Sequence, residues 1–118
     1  MLNLMENKKN FDYDEFADSL IISNKVESDI VVDNFMFDDI VLSLSNEGKI
    51  CSIEILNASN YLTEIGLNPE ILRDIKDIRL NVTQKKDSVV IMFDINSIVD
   101  FKEEKNKIPL GMIPIPVY

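Results

Sequence analysis

Through most of this chain apolar and polar residues alternate with a period of two, which predicts strands more often than helices. Phe11-Asp12-Tyr13 and Ser19-Leu20-Ile21-Ile22-Ser23 read as two short strands around the acidic connector Asp14-Glu15-Phe16-Ala17-Asp18. Ile30-Val31-Val32 and Phe35-Met36-Phe37 add β-branched and aromatic material around Asp33-Asn34. That dipeptide suits a turn or a bulge, since Asn tolerates positive φ. Residues 1–10 show no clear period, and Leu2, Leu4 and Met5 are a docking contact at most.

The best-determined pairing is a hairpin of Ile40–Leu44 with Ile50–Leu56 across Asn46-Glu47-Gly48-Lys49. An even loop sets Leu44 opposite Cys51, Leu42 opposite Ile53 and Ile40 opposite Ile55, with Ser43–Ser52 and Val41–Glu54 on the other face. An odd loop would mix the faces, so the even loop is preferred. Gly48 supplies the positive φ of the turn. Cys51, Ile53 and Ile55 then point inward, Ser52 and Glu54 outward.

Beyond Leu56 the period becomes helical. Asn57 or Ser59 can cap, Tyr61, Leu62 and Ile65 share a face, and Gly66 suits the position after the last turn. A second helix start follows in Asn68-Pro69-Glu70, and Ile71, Leu72, Ile75 and Ile78 lie at helical offsets with an end near Lys76. Ile78–Thr83 alternates as a strand with one face in water, Gln84-Lys85-Lys86-Asp87 turns, and Ser88–Ile95 is apolar on both faces, as in a central or doubly covered strand. Residues 96–107 are polar apart from Ile98, Val99 and Phe101. The ending Ile108–Tyr118 is apolar with spaced prolines, the mark of an edge strand blocked on its outer side by Pro114 and Pro116. Residues 11–22 also line up without gaps on residues 80–91, as strand, polar turn, Asp-Ser, strand, which predicts two similar hairpins. The expected fold is α+β in one domain, 1–118: an antiparallel sheet of roughly six to eight short strands and hairpins with two short helices packed on one face.

Composition narrows the chemistry. With 118 residues, 46% apolar and 28% charged, the chain suits one soluble core. No run approaches a membrane span, and the first residues lack the build of a secretory leader, so a cytoplasmic protein is expected. There is no histidine, which removes the commonest general base and transition-metal ligand, and the single cysteine, Cys51, reads as a small buried hydrophobe. The formal charge of −9 opposes nucleic-acid binding and favours basic partners. Tyr61 to Ile75 has helix–turn–helix spacing, but its second half sets Arg73 and Lys76 against Glu70, Asp74 and Asp77, which suits packing rather than DNA reading.

Tyr13-Asp14-Glu15-Phe16-Ala17-Asp18-Ser19-Leu20-Ile21-Ile22 and Gly48–Ser59 together resemble a small family known as a domain of unknown function. Its pattern is Tyr-Asp-x-Glu-x-Asp-x-Leu-Tyr-Ile, then Gly-x-Ile-x-Gly-Ile-Glu-Ile-Leu-Asn-Ala-Ser. The resemblance covers residues 11–60 and not 67–118; Phe16, Ile21 and Ser52 depart from the pattern. It implies a β-hairpin-plus-helix domain. Some members resemble accessory halves of toxin–antitoxin-like pairs, which implies a neutralising partner role.

Few residues remain as candidates. Asp12, Asp14 and Asp18 have the spacing that opens a calcium loop without its glycine or final glutamate, a weak divalent site against the simpler reading of a solvated loop. Glu54 points away from the core and is an interface candidate, against the simpler reading of a sheet-surface carboxylate paired with a neighbouring Lys or Arg. In the tail, Ile113, Ile115, Val117 and Tyr118 are candidates for contact with another chain, against packing along their own sheet. No catalytic residue and no cofactor is expected. The leading expectation is a non-catalytic interaction or self-associating module with a protein partner or a second copy, without nucleic acid or membrane. The alternatives are a neutralising partner for a basic toxin-like protein and a weak metal or small-ligand binder.

Overall fold

In the computed structural model, which describes residues 9–114, the chain forms two antiparallel sheets that share one core. The strands are β1 (Phe11–Asp14), β2 (Ser19–Ser23), β3 (Val31–Phe37), β4 (Ile40–Ser45), β5 (Ile50–Leu56), β6 (Ile75–Gln84), β7 (Ser88–Val99) and β8 (Lys102–Pro114). The first sheet has the order β1-β2-β5-β4-β3, the second β6-β7-β8. Leu20, Ile22, Leu42, Ile53 and Ile55 from one sheet meet Ile78, Ile91, Phe93, Ile95 and Ile108 from the other in a single buried cluster. Each such side chain contributes roughly 1.5–3 kcal/mol when fully buried, and alternation along the strands supplies one every second residue. Asn10 Nδ2 donates to Ile78 O (3.2 Å) and Gln84 Nε2 to Gly48 O (2.9 Å), which joins the sheets at their margins.

Helix α1 (Ala58–Glu64) carries the chain from the first sheet towards the second, with Ala58 and Leu62 buried in the shared core. The Tyr61 hydroxyl donates to Pro109 O on β8. The second expected helix is corrected to one 3-10 turn, Pro69–Leu72. Its start is as anticipated, since the Asn68 side chain accepts from the Glu70 N–H (3.0 Å). Its continuation is not, because β6 begins at Ile75, and a register shift between Ile75 and Asp77 adds one residue to the strand. Ile75 packs on the core and Ile78 is buried in it despite their offset of three, so a bulge imitates a helical stripe. Mixed packing on one face is therefore replaced by a helix and a turn that link two sheets. No helix among the described residues is long and apolar enough to cross a membrane.

The β4–β5 hairpin keeps four of the expected pairs: Ile40–Ile55, Val41–Glu54, Leu42–Ile53 and Ser43–Ser52. The fifth is corrected, because Leu44 faces Ile50 and not Cys51. The even loop is corrected with it. Ser45 N–H donates to Lys49 O (2.8 Å) and Gly48 N–H to Ser45 O (2.9 Å), leaving Asn46, Glu47 and Gly48 at the tip. An odd loop inverts the faces, and the extra residue on β5 inverts them back. Both Ile50 and Cys51 are buried as a result.

Three further stretches can be placed. Strand β3 is continuous through Asp33-Asn34, where a turn or a bulge was expected, and its irregularity lies between Val31 and Asp33. β7 is central, one of its two expected settings, and among the described residues no layer covers its outer face, where Val90 and Met92 are half-buried. Through the polar stretch 96–107, β7 and β8 continue to a two-residue turn at Asp100 and Phe101, whose φ values are 51° and 66°. The repeated pattern does yield two hairpins, but Tyr13 pairs with Leu20 whereas its counterpart Val82 pairs with Ile91 and not Val89. They differ in register.

Gly48 has φ +80° and a Cβ built there meets nothing within 4 Å. Gly48→Ala therefore isolates the backbone cost, and it should lower stability by about 1 kcal/mol, read as a lower urea midpoint with an unchanged slope. An unshifted midpoint would show that the three-residue tip does not fix this hairpin.

Candidate functional site

Asp18 ends the β1–β2 loop in a left-handed conformation, φ 55°. The loop reaches it through Asp14, whose Oδ1 accepts from the N–H groups of Phe16 (3.0 Å) and Ala17 (3.1 Å). From there Asp18 binds the start of α1. Its carbonyl accepts from Ala58 N (3.0 Å), and its carboxylate from Ser59 N (3.0 Å) and Ser59 Oγ (2.7 Å). The Tyr13 hydroxyl adds a bond of 2.6 Å to the same carboxylate. This corrects the expected cap: Asn57 holds the N-cap position at φ 53° with no side-chain capping bond, and Ser59 donates instead of accepting. An acidic side chain from a different strand hairpin satisfies the helix end.

These contacts set the ionisation of the pair. Burial raises the Asp18 carboxyl, but the bonds from Tyr13 and from the Ser59 side chain and backbone outweigh it and hold it below the usual value. Burial raises the Tyr13 phenol, the hydrogen bond to Asp18 and the charges of Asp18 and Glu15 raise it further, and Arg73 only partly opposes them. The result is a protonated phenol on an ionised carboxylate across neutral pH. Arg73 lines a cleft of about 380 Å³ with Tyr13, Glu15, Asp18, Ser59 and Glu70, pairing with Glu15 (3.1 Å) and Glu70 (3.5 Å). Its main acceptor and donor are thus already committed to holding the helix.

Glu54 has a hydrogen-bond partner. Ser19 Oγ donates to Glu54 Oε2 (2.6 Å), on the outer face of the first sheet beside Ile21 and Val41. Asp12 stands on β1 opposite Ile21, Asp14 closes the loop and Asp18 caps the helix, so the three candidate cation ligands have separate tasks. Among the described residues no group of three or more His, Cys, Asp or Glu could hold a metal ion. Ile113 is buried against the core, opposite Val89 on β7. Ile115, Val117 and Tyr118, like Leu2, Leu4 and Met5, lie outside the described residues. Cys51 is fully buried, 3.8 Å from Lys49 O.

A surface that sequence reasoning passed over is β3. It is the outermost strand of the first sheet, and only Phe35 on it is half-buried. Met36 is 60% exposed, Val32 59%, Val31 40% and Phe37 36%, with Ile30 just before it at 62%. The signal was present, since six large apolar residues in the eight positions 30–37 are more than one buried face requires. A second cleft, about 530 Å³, lies between the β3–β4 turn and α1, and Asp38, Asp39 and Glu64 make it acidic. Tyr61 lines it, its phenol raised by burial and by the charge of Glu64.

Residues 10–59 match a family model described as Protein of unknown function (DUF2283), in agreement with the resemblance over residues 11–60. No curated protein and no solved structure matches the chain. The matched stretch runs from β1 through Ser59 and so contains the whole Tyr13–Asp18–Ser59 network, the Ser19–Glu54 bond and the β4–β5 hairpin.

Removing the Asp18 carboxylate strands the Tyr13 hydroxyl and the Ser59 N–H together. Asp18→Ala should cost about 1–3 kcal/mol of stability in urea unfolding. The folded carboxyl is depressed, so its contribution is complete above the unfolded value of roughly 3.9 and is lost as pH falls through the folded value. The gap between wild type and Asp18→Asn should therefore narrow as pH drops below roughly 4. A gap constant from pH 7 to 3 would remove the charged cap from the account.

Proposed function

We propose that the chain is a non-catalytic protein-interaction module whose contact element is the open edge of β3. One observation carries this reading: a seven-residue edge strand with large apolar side chains exposed on both faces. Long apolar edges are a liability that folded proteins shorten, charge or cover, and one that is retained is suited to receive another strand. The Asp18 network supports the reading from the other side, because its polar groups serve the fold and leave β3 as the unclaimed feature.

A second reading has its own observation. One cleft beside α1 gathers Asp38, Asp39 and Glu64 and another Glu15 and Glu70, while Arg73 is engaged by two of them. Such an end favours a basic partner, as a neutralising protein of a toxin-like pair would, and that complex would weaken steeply with salt.

The test places a photo-crosslinking amino acid at Val32 in one version of the chain and at Thr83, on β6, in another, and irradiates cells producing each. The Val32 version should yield discrete protein adducts and the Thr83 version none. Absence of any adduct from Val32 would overturn the interaction reading.

A further inference from the structure

Resting on that reading, we propose that the strand received by β3 is β3 of a second copy, paired antiparallel about a two-fold axis at Asn34. The hydrogen-bonding groups of the edge point the right way. Phe37 faces Ile40 across the two-residue turn Asp38-Asp39, which makes it a hydrogen-bonded pair. By alternation Phe35 and Asp33 also bond to β4, and the backbone groups of Asn34 and Met36 face outward. The Asn34 N–H agrees with this, since its acceptor is the Asp33 carboxylate at 2.9 Å and not β4.

Register then singles out one pairing. A two-fold axis at Asn34 sets Asn34 beside its own copy, Asp33 beside Phe35 and Val32 beside Met36 of the other chain. The two most exposed apolar side chains of the strand, Met36 and Val32, thereby meet each other. Moving the axis to Asp33 opposes two carboxylates and sets Val32 against Asn34. An axis at Phe35 opposes Asp33 to Phe37 and Val32 to Asp38. Both alternatives separate Val32 from Met36, and the first also opposes charge to charge. The outer face continues as well: Ser23, Ser52, Ser43 and Asn34 form one row across the first sheet, with Ser43 Oγ donating to Asn34 Oδ1 (2.8 Å), and the two-fold axis joins that row to its copy.

Charge favours the antiparallel sense. It brings Asp38 and Asp39 of one copy to the Ile30 end of the other. There Lys49 holds Asp29 at 2.6 Å, and Lys25 adds its charge to the same carboxylate. A parallel arrangement would gather four turn carboxylates at one end. The bulge at Val32 bends the strand and marks where the pairing stops, so the contact is short and rests on backbone bonds with the two symmetric Val32–Met36 pairs. Both strands use the same patch, as a closed two-fold dimer requires.

Sedimentation of the full chain tests this with Asn34→Pro and Met36→Lys. Proline removes the outward N–H of Asn34 together with the side-chain bond it accepts from Ser43, and the lysine places a charge on the apolar pair. The wild type should sediment at twice its 13.5 kDa. Each variant, with its folding checked by near-ultraviolet circular dichroism, should weaken association roughly tenfold or more, because symmetry repeats the loss. The Val32 crosslinker in the purified chain should join Met36 of a second copy. A wild type monomeric at about 100 µM, or a dimer indifferent to both variants, would overturn the proposal. Adducts in cells to a different protein alone would overturn self-pairing and leave the interaction reading standing, whereas no adduct would remove both.

Discussion

The bond set at Asp18 is the constraint on which the arrangement of the molecule depends. A helix of seven residues has almost no stability of its own, since nucleation fixes several residues before the ladder can return anything. Its first turn also leaves N–H groups without partners. Here Asp18 supplies a carbonyl to Ala58 and a carboxylate to Ser59, from a loop forty residues earlier in the chain. Because α1 is the passage from the first sheet to the second, fixing its start fixes where β6 enters. The Tyr13 hydroxyl on the same carboxylate then ties β1, the edge strand on that side, to the same point.

That network also lies within the stretch that the family model matches. Tyr13 and Ser59 both donate there to the Asp18 carboxylate. Glu54 joins through Ser19, the residue after Asp18. Positions far apart in sequence are coupled by one cluster of hydrogen bonds at the junction of hairpin and helix. Such a cluster answers to the demand for satisfied buried polar groups, and fold alone does not assign an activity.

Elements whose signal is local were legible in the sequence. The alternation of Leu42, Ile53 and Ile55 identified the core face of the central hairpin, Gly48 its turn, and Asn68-Pro69 the start of a helical turn. The illegible parts involve compensation between two places. An odd loop at Asn46–Gly48 and an added residue at Cys51 cancel, so parity alone chose the wrong loop while giving four correct pairs. The bulge near Lys76 set Ile75 and Ile78 three apart and imitated helical spacing. The turn at Asp100 and Phe101 has positive φ without glycine, and nothing in its composition marks it. The cap from Asp18 is a tertiary contact, invisible to any reading that looks for the cap next to its helix.

The same distinction explains why β3 stood out only in three dimensions. From composition, Ile30, Val31, Val32, Met36 and Phe37 look like ordinary core material, and a sheet of eight strands had room for them. The three-stranded sheet, however, covers five strands with three, and the core closes over β2, β5 and β4, whose inward residues are buried. β3 is left beyond that cover with a full strand's worth of apolar side chains. The opposite edge, β1, is four residues long and carries Asp12 and Asp14, as a protected edge should. Of the two margins of the first sheet among the described residues, one is short and charged and the other long and apolar.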